Sequence, residues 1–204
     1  MKDHPDRLQD IIDLDHVLDN SFKNFHVKGF DYLCVRRSAR ITDKLYFFDG
    51  DISKLPEVVN PHDHRYAFNT KVLAGRSKNT VYQPSLTGQV YNRFDYLTPL
   101  NGGDGFHWSG YEHLDVASDH AYAKGEGYSS GPNDIHTISI LEDRTILWLR
   151  QFEDVVPLGK PTSTYSVSDK APALDGLYAR MTPDDVIAKM RILSDIGYPL
   201  KLIV

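Results

Sequence analysis

Apolar and polar positions alternate with period two through most of the middle of the chain. At 31–37, Tyr32 and Cys34 fall on one parity and Leu33 and Val35 on the other, which predicts a strand with apolar residues on both faces. Comparable runs follow at 44–48, 62–73, 80–83, 89–96, 135–140 and 145–152. Turn chemistry separates them at Asp49-Gly50, Ala74-Gly75, Thr87-Gly88, Asn101-Gly102-Gly103 and Gly131-Pro132-Asn133-Asp134. Many short strands with frequent turns predict a mainly β sandwich or barrel. The helical period appears only near the ends. Thr182 offers an N-cap, Pro183 a first-turn proline, and Asp184 and Asp185 two acids near the positive end of the helix dipole. Val186, Ile187, Met190 and Leu193 then form one stripe, so a helix is predicted at about 183–196, stopped by Gly197 and Pro199. A second helix is predicted over 6–18 from the spacing of Leu8, Ile11, Ile12 and Leu18. The expected organisation is one domain over 1–204: an N-terminal helical segment (1–28), a β-barrel core (29–160) and a C-terminal extension (161–204) carrying the later helix.

Composition narrows the class. The 204 residues are 41% hydrophobic and 25% charged with a net charge of -5, which excludes disorder, collagen and coiled coil and gives no basic footprint for nucleic acid. Apolar runs such as 146–149 are far short of the roughly 20 residues needed to cross a bilayer. The N-terminus leads into acidic sequence rather than an apolar signal core, and the single cysteine, Cys34, has no partner within the chain. The expectation is a cytoplasmic protein without intramolecular disulfides, with neither a nucleic acid nor a membrane as partner.

The sharpest chemical feature is Asn60-Pro61-His62-Asp63-His64. Two histidines at i and i+2 on a strand project from one face and can chelate one ion. A third candidate ligand is His136, where a tight turn at 131–134 enters a strand. If these strands face one another across a barrel, three neutral imidazoles converge. Such a set suits a divalent transition ion and leaves coordination positions open for substrate, water or dioxygen, as in a catalytic rather than a closed structural site. Read separately, His62 and His64 would be loop histidines after a proline, and His136 an ordinary strand residue.

The pattern around these histidines resembles the cupin superfamily. Its first motif is commonly a His-x-His, a glutamate four residues on and a glycine seven residues later; His62, His64, Phe68 and Gly75 occupy those places, with Val72-Leu73-Ala74-Gly75 similar to the usual ending. The second motif, a Gly/Pro-rich turn leading to a histidine, resembles 127–136, although Pro132 is one residue closer to His136 than is common. The resemblance covers 57–152 and implies a double-stranded β-barrel of the jelly-roll kind with peripheral N- and C-terminal helices. Phe68 stands where most metal-binding members carry a glutamate ligand, so it further implies a three-histidine site of the type found in thiol dioxygenases and some diketone-cleaving enzymes. Strand parity favours Phe68 facing inward, while a shifted register would place Asn69 there. Three neutral ligands would leave a ferrous site with its full 2+ charge, which favours an anionic chelating substrate. The later apolar strand at 146–150 is similarly placed to that of cysteine dioxygenase. Trp148 and Arg150 stand where that enzyme carries a histidine and a tyrosine, and no cysteine adjoins the first motif, so cysteine is not assigned as substrate.

Around this core, Arg150 is a candidate clamp for a substrate carboxylate, with Arg36 and Arg37 behind it, and Tyr66 or Tyr82 a candidate donor toward a bound oxygen. Tyr128 is a candidate cover for the mouth. Trp148 reads as core. The stretch 97–125, with Asn101 to Gly105 and His107, His113 and His120, reads as a polar insertion, either a lid or a surface excursion. No nucleophile elbow, P-loop, dinucleotide fingerprint or zincin helix motif occurs. The expected function is a mononuclear non-haem iron dioxygenase with Fe(II) on His62, His64 and His136, oxidising a small anionic metabolite, thiol or diketone-like, with dioxygen. Zinc, nickel, copper or manganese are the other metals the ligands suit. The rival readings are an oxygen-independent lyase or isomerase using zinc or nickel, and a non-enzymatic ligand-binding module. A homodimer is what the resemblance implies for assembly.

Overall fold

A computed structural model describes residues 11–98, 102–157, 159–172 and 177–203. Its elements in chain order are β1 (Ile11–Asp13), α1 (Leu14–Asn20), β2 (Phe22–Lys23), β3 (Phe30–Arg37), β4 (Ile41–Phe48), β5 (Tyr66–Ala74), β6 (Arg76–Leu97), β7 (Gly105–Ala123), β8 (Gly127–Ser130), β9 (Ile135–Ile140), β10 (Ile146–Asp154), β11 (Thr162–Ser166), β12 (Ala179–Arg180), α2 (Pro183–Asp195) and β13 (Lys201–Ile203). The fold is mainly β with two helices. One sheet has the order β12-β2-β3-β4-β10-β5-β8; in the other, β6 pairs with β7, with β11 and with β9. All pairs in these two sheets are antiparallel.

The large sheet is apolar on both faces, which explains the two buried parities of β3. One face carries Tyr32, Cys34, Tyr46, Phe48, Leu147 and Leu149 toward Ile138 and Ile140 of β9 in the opposite sheet, making the barrel interior. The other carries Leu33, Val35, Leu45, Phe47, Ile146 and Trp148 against the helices, through Val17 of α1 and Val186 and Leu193 of α2. At roughly 25 cal/mol per Å² of apolar surface removed from water, two such layers supply the main driving force for folding. α2 starts where its sequence dictates: the Thr182 side chain accepts from Asp185 N–H, and the Asp185 carboxylate accepts from Thr182 N–H, a reciprocal capping box.

Several expectations change. Ile11 and Ile12 are not helical but pair in parallel with Lys201 and Leu202; the helix begins only after Asp13, whose carboxylate accepts from His16 N–H at 2.8 Å. Leu8 lies outside the described residues. The barrel extends past 160, because β11 pairs with Asn92 to Tyr96 of β6. The runs at 80–83 and 89–96 belong to one strand interrupted between Pro84 and Gln89, and the supposed insertion at 97–125 is mostly β7, its antiparallel partner. The reason is burial. Most of β7 is solvent-exposed, with Trp108, Tyr111 and Val116 all outside the core, so no face imposes a period-two pattern on its sequence. At Gly75, a left-handed φ of 73° and a backbone so near Thr145 that a Cβ would sit 2.3 Å from its hydroxyl make the β5–β6 turn specific for glycine.

On the helix-facing side, Asp43 is fully buried. Its carboxylate accepts from Arg150 Nε at 2.8 Å, from Trp148 Nε1 at 3.1 Å and from Arg36 at 2.9 Å. The buried Arg150 guanidinium also lies over the Trp148 ring, 4.9 Å from its centre. Removing one partner of such a set leaves desolvated charge uncompensated. Asp43→Asn is therefore expected to lower stability by about 3–5 kcal/mol, read from urea unfolding midpoints; a loss below about 1 kcal/mol would show that the two arginines reach water instead.

Candidate metal centre

Backbone pairing at one point in the barrel brings the three histidines together. The segment around His62 runs between β9 and β11. His62 N–H donates to the His136 carbonyl and His136 N–H to the His62 carbonyl, both at 3.0 Å, while Asp63 N–H donates to Ser163 O and Tyr165 N–H to Pro61 O. Two residues on, His64 N–H donates to Pro132 O in the turn before β9. The first histidine motif is thus tied by main chain to the second. The potential ligand atoms of His62, His64 and His136 all lie within 4.8 Å of one another.

Ring orientation is set by neighbours. His136 Nδ1 donates to Asn79 Oδ1 at 2.6 Å and His62 Nδ1 to the Asn60 carbonyl at 2.8 Å, which leaves Nε2 of each ring carrying the lone pair. His64 Nε2 lies 2.8 Å from His136 Nε2. Two imidazole nitrogens this close, one an acceptor, require a positive centre between them, either the His64 proton or a cation. A metal with bonds of about 2.1 Å to ligands at right angles separates those nitrogens by about 3 Å, so the donor set fits a divalent transition ion.

Burial drives the electrostatics. His136 is pushed down to about 3, first by desolvation and then by His62. Desolvation also lowers His62 and, further, His64, on which the charges of His62, His136 and Lys44 act in the same sense. The cluster is thus neutral and ligand-competent at ordinary pH.

These imidazoles open into a cavity of about 960 Å³ inside the barrel. Phe68 faces it, its ring 4.9 Å from His64 and 5.5 Å from His136, whereas Asn69 points outward and its Oδ1 accepts from Ser129 Oγ at 2.8 Å. An apolar ring, not a carboxylate or an amide, therefore occupies the expected glutamate place. Tyr66 and Tyr128 line the cavity, with Tyr66 5.2 Å from the His64 ring. Tyr82 instead packs against Tyr91 on the other side of its sheet, outside the cavity lining.

Arg150 does not reach the cavity. Leu147 and Leu149 face inward on β10, so Trp148 and Arg150 face the helices, where the guanidinium donates to Asp43 rather than standing beside the histidines as a carboxylate clamp. Arg36 pairs with the same carboxylate. His107 and His113 sit exposed on the β6–β7 hairpin, hydrogen-bonded to Asp104 and the Gly88 carbonyl, and are not part of the three-histidine group.

Sequence reasoning missed two residues of this cavity, His26 and Lys44, and one that backs the cluster, Asn79. Asn79 shares the inward parity of its strand but has no motif around it. His26 lines the cavity among Phe25, Phe30 and Tyr178, held down to about 3 by desolvation; it lies in an irregular turn between two strands, where no periodicity marks a direction. Lys44 shares the parity of Tyr46 and Phe48, and that alternation was the available signal.

No family model matches the chain, and no curated protein does either. Solved structures with a similar strand layout include KdgF from Halomonas sp. (13% identity, 60% of this chain and 80% of that one, TM-score 0.35). An RmlC-like cupin from Shewanella frigidimarina NCIMB 400 matches at 12% identity over 67% of this chain and 87% of that one, with TM-score 0.39. Hydroquinone 1,2-dioxygenase from Sphingomonas sp. TTNP3 matches at 9% identity over 61% and 66%, with TM-score 0.38. At such distances the likeness carries nothing about chemistry, and the site is argued from its own geometry.

Above pH 6.5 these histidines are neutral in both folded and unfolded chains. Between 6.5 and about 3 the unfolded chain binds protons that the folded one excludes, so the metal-free protein should lose stability as the pH falls through that window. Urea midpoints measured from pH 7.5 to 4.5 in the presence of a chelator should show this, and His136→Gln should flatten the slope by roughly 1 kcal/mol per pH unit.

Proposed function

We propose that the chain is a metal-dependent oxidoreductase, a mononuclear non-haem iron dioxygenase that oxidises a small anionic metabolite with dioxygen. The observation that carries this reading is the trio of Nε2 atoms at an apolar cavity wall where Phe68 takes the place of a fourth, anionic ligand. Fe(II) held by His62, His64 and His136 would supply open, positively charged positions at which an anionic substrate and dioxygen meet. Phe68 keeps water from one side of that position. Asn79 and the Asn60 carbonyl hold protons on Nδ1 of His136 and His62, so that both rings present Nε2. Tyr66 stands beside His64 with its hydroxyl toward Lys44, placed to donate a hydrogen bond to a substrate oxygen.

Protein prepared without air and reconstituted with Fe(II) is expected to hold one ion per chain and to consume oxygen with some member of a panel of thiols, diketones and other enolisable anions. His136→Ala is expected to lose the metal. Stoichiometric metal with substrate turnover in the absence of oxygen would overturn the dioxygenase reading in favour of Lewis-acid lyase or isomerase chemistry, with zinc or nickel as the ion. Asn79→Ala removes the acceptor that orients His136 and should weaken metal affinity by about 10–100-fold, measured by competition with a chelating dye.

A further inference from the structure

Lys44 is buried, 6% exposed, yet its side chain lines the aromatic cavity. Among the described residues no carboxylate forms an ion pair with it. What it meets are tyrosines: Nζ donates to Tyr66 Oη at 3.4 Å and lies 5.0 Å from the centre of the Tyr66 ring and 5.5 Å from that of Tyr32. A desolvated ammonium supported only by a hydroxyl and two ring faces is costly unless an anion completes its surroundings. A second cation joins it. The register of β3 against β4 shifts between Cys34 and Arg36, an extra residue that sends Arg36 outward to Asp43 and Arg37 to the cavity, where its guanidinium donates to Tyr32 Oη at 3.3 Å. The cavity lining also carries acids, and none of them forms an ion pair with Lys44 among the described residues: Asp63 accepts from Ser163 N–H at 2.7 Å, Asp154 pairs with Arg65, and Glu57 accepts from Asn60 Nδ2 at 3.5 Å. A buried lysine and a solvent-exposed arginine, linked through Tyr32, thus stand on the wall of β3 and β4, with Tyr66 between Lys44 and His64.

We propose that Lys44, backed by Arg37, is the anion-binding subsite that selects the substrate: it holds a carboxylate on a largely apolar, planar body that lies along the cavity, with the reacting group at the histidine cluster. The cavity's volume is at the upper end of what a ligand of drug-like size fills, far more than a three-carbon thiol requires. Its lining of Phe25, Phe30, Tyr46, Phe68 and Tyr128 suits an aromatic ring. This inference deepens the dioxygenase reading and rests on it for the reaction, but the anion subsite itself is testable without metal.

Isothermal titration of the metal-free 204-residue chain with 3-phenylpropionate and with its uncharged isostere 3-phenylpropionamide separates the two. The wild type should bind the acid about tenfold or more tighter than the amide, as expected for a charge-assisted hydrogen bond in a desolvated site. Lys44→Met should abolish the difference while leaving amide affinity unchanged, which also reports that the cavity is intact; Lys44→Arg should retain the preference. Equal binding of acid and amide by the wild type, binding of neither, or a preference that survives Lys44→Met overturns the proposal. Fe(II) titration of the same samples keeps the two readings apart: a wild type that prefers the acid but takes up no metal sinks the dioxygenase and leaves the subsite, and the reverse result does the opposite.

Discussion

The mutual backbone hydrogen bonds between His62 and His136 are the constraint on which the site depends. Residues 61–63 have no long strand of their own, but by filling the gap between β9 and β11 they satisfy main-chain groups that would otherwise be buried without partners. Because side chains alternate along an extended chain, that fixed register sends His62 and His64 to one side, toward the ring of His136. Shifting the segment by one residue would cost several buried hydrogen bonds and turn both imidazoles away.

The sheet that faces this segment does two jobs with one sequence pattern. Its inward parity supplies an aromatic cavity wall and its outward parity a platform for the two helices. Charge follows the same division. On the helix side a buried carboxylate collects two guanidinium groups and an indole, a self-contained set that braces β4 against β10. On the cavity side the lysine and the arginine find tyrosines and no carboxylate. A single bulge at Val35 decides which of two adjacent arginines faces the cavity and which faces Asp43. Local backbone irregularity, invisible to composition, therefore decides which cation is structural and which is available to a ligand.

The cavity combines properties that favour one kind of ligand. Neutral, desolvated imidazoles gather at one place, aromatic rings cover the walls, and positive charge stands apart from the cluster. An ion bound at the imidazoles would keep its full charge because Phe68 contributes none, and a low dielectric would strengthen its pull on an anion. A molecule bearing a chelating group and a separate carboxylate on a flat hydrophobic frame would satisfy each feature in turn.

The sequence by itself determined the mainly β class, the C-terminal helix with its cap, the inward placement of Phe68 and the identity of the three histidines. Each of these is legible along the chain: parity along a strand, an N-cap with a first-turn proline, two histidines two apart and, for His136, a Gly/Pro-rich turn that resembles the second cupin motif. It misjudged β7, whose exposed faces leave no alternation to read, and the N-terminal stretch, where Ile11 and Ile12 take their strand from a partner at the other end of the chain. Arg150 could not be assigned a side from sequence, because its strand is apolar on both parities and only the burial of Asp43 opposite decides where a guanidinium goes. Tertiary structure brought Asn79 behind His136 and His26 to the cavity wall, and it decided that the face Lys44 shares with Tyr46 and Phe48 is the one lining the cavity. Their directions follow from register, a turn and strand parity, and what those faces meet depends on which strands become neighbours, a choice made by burying whole faces rather than by any local signal.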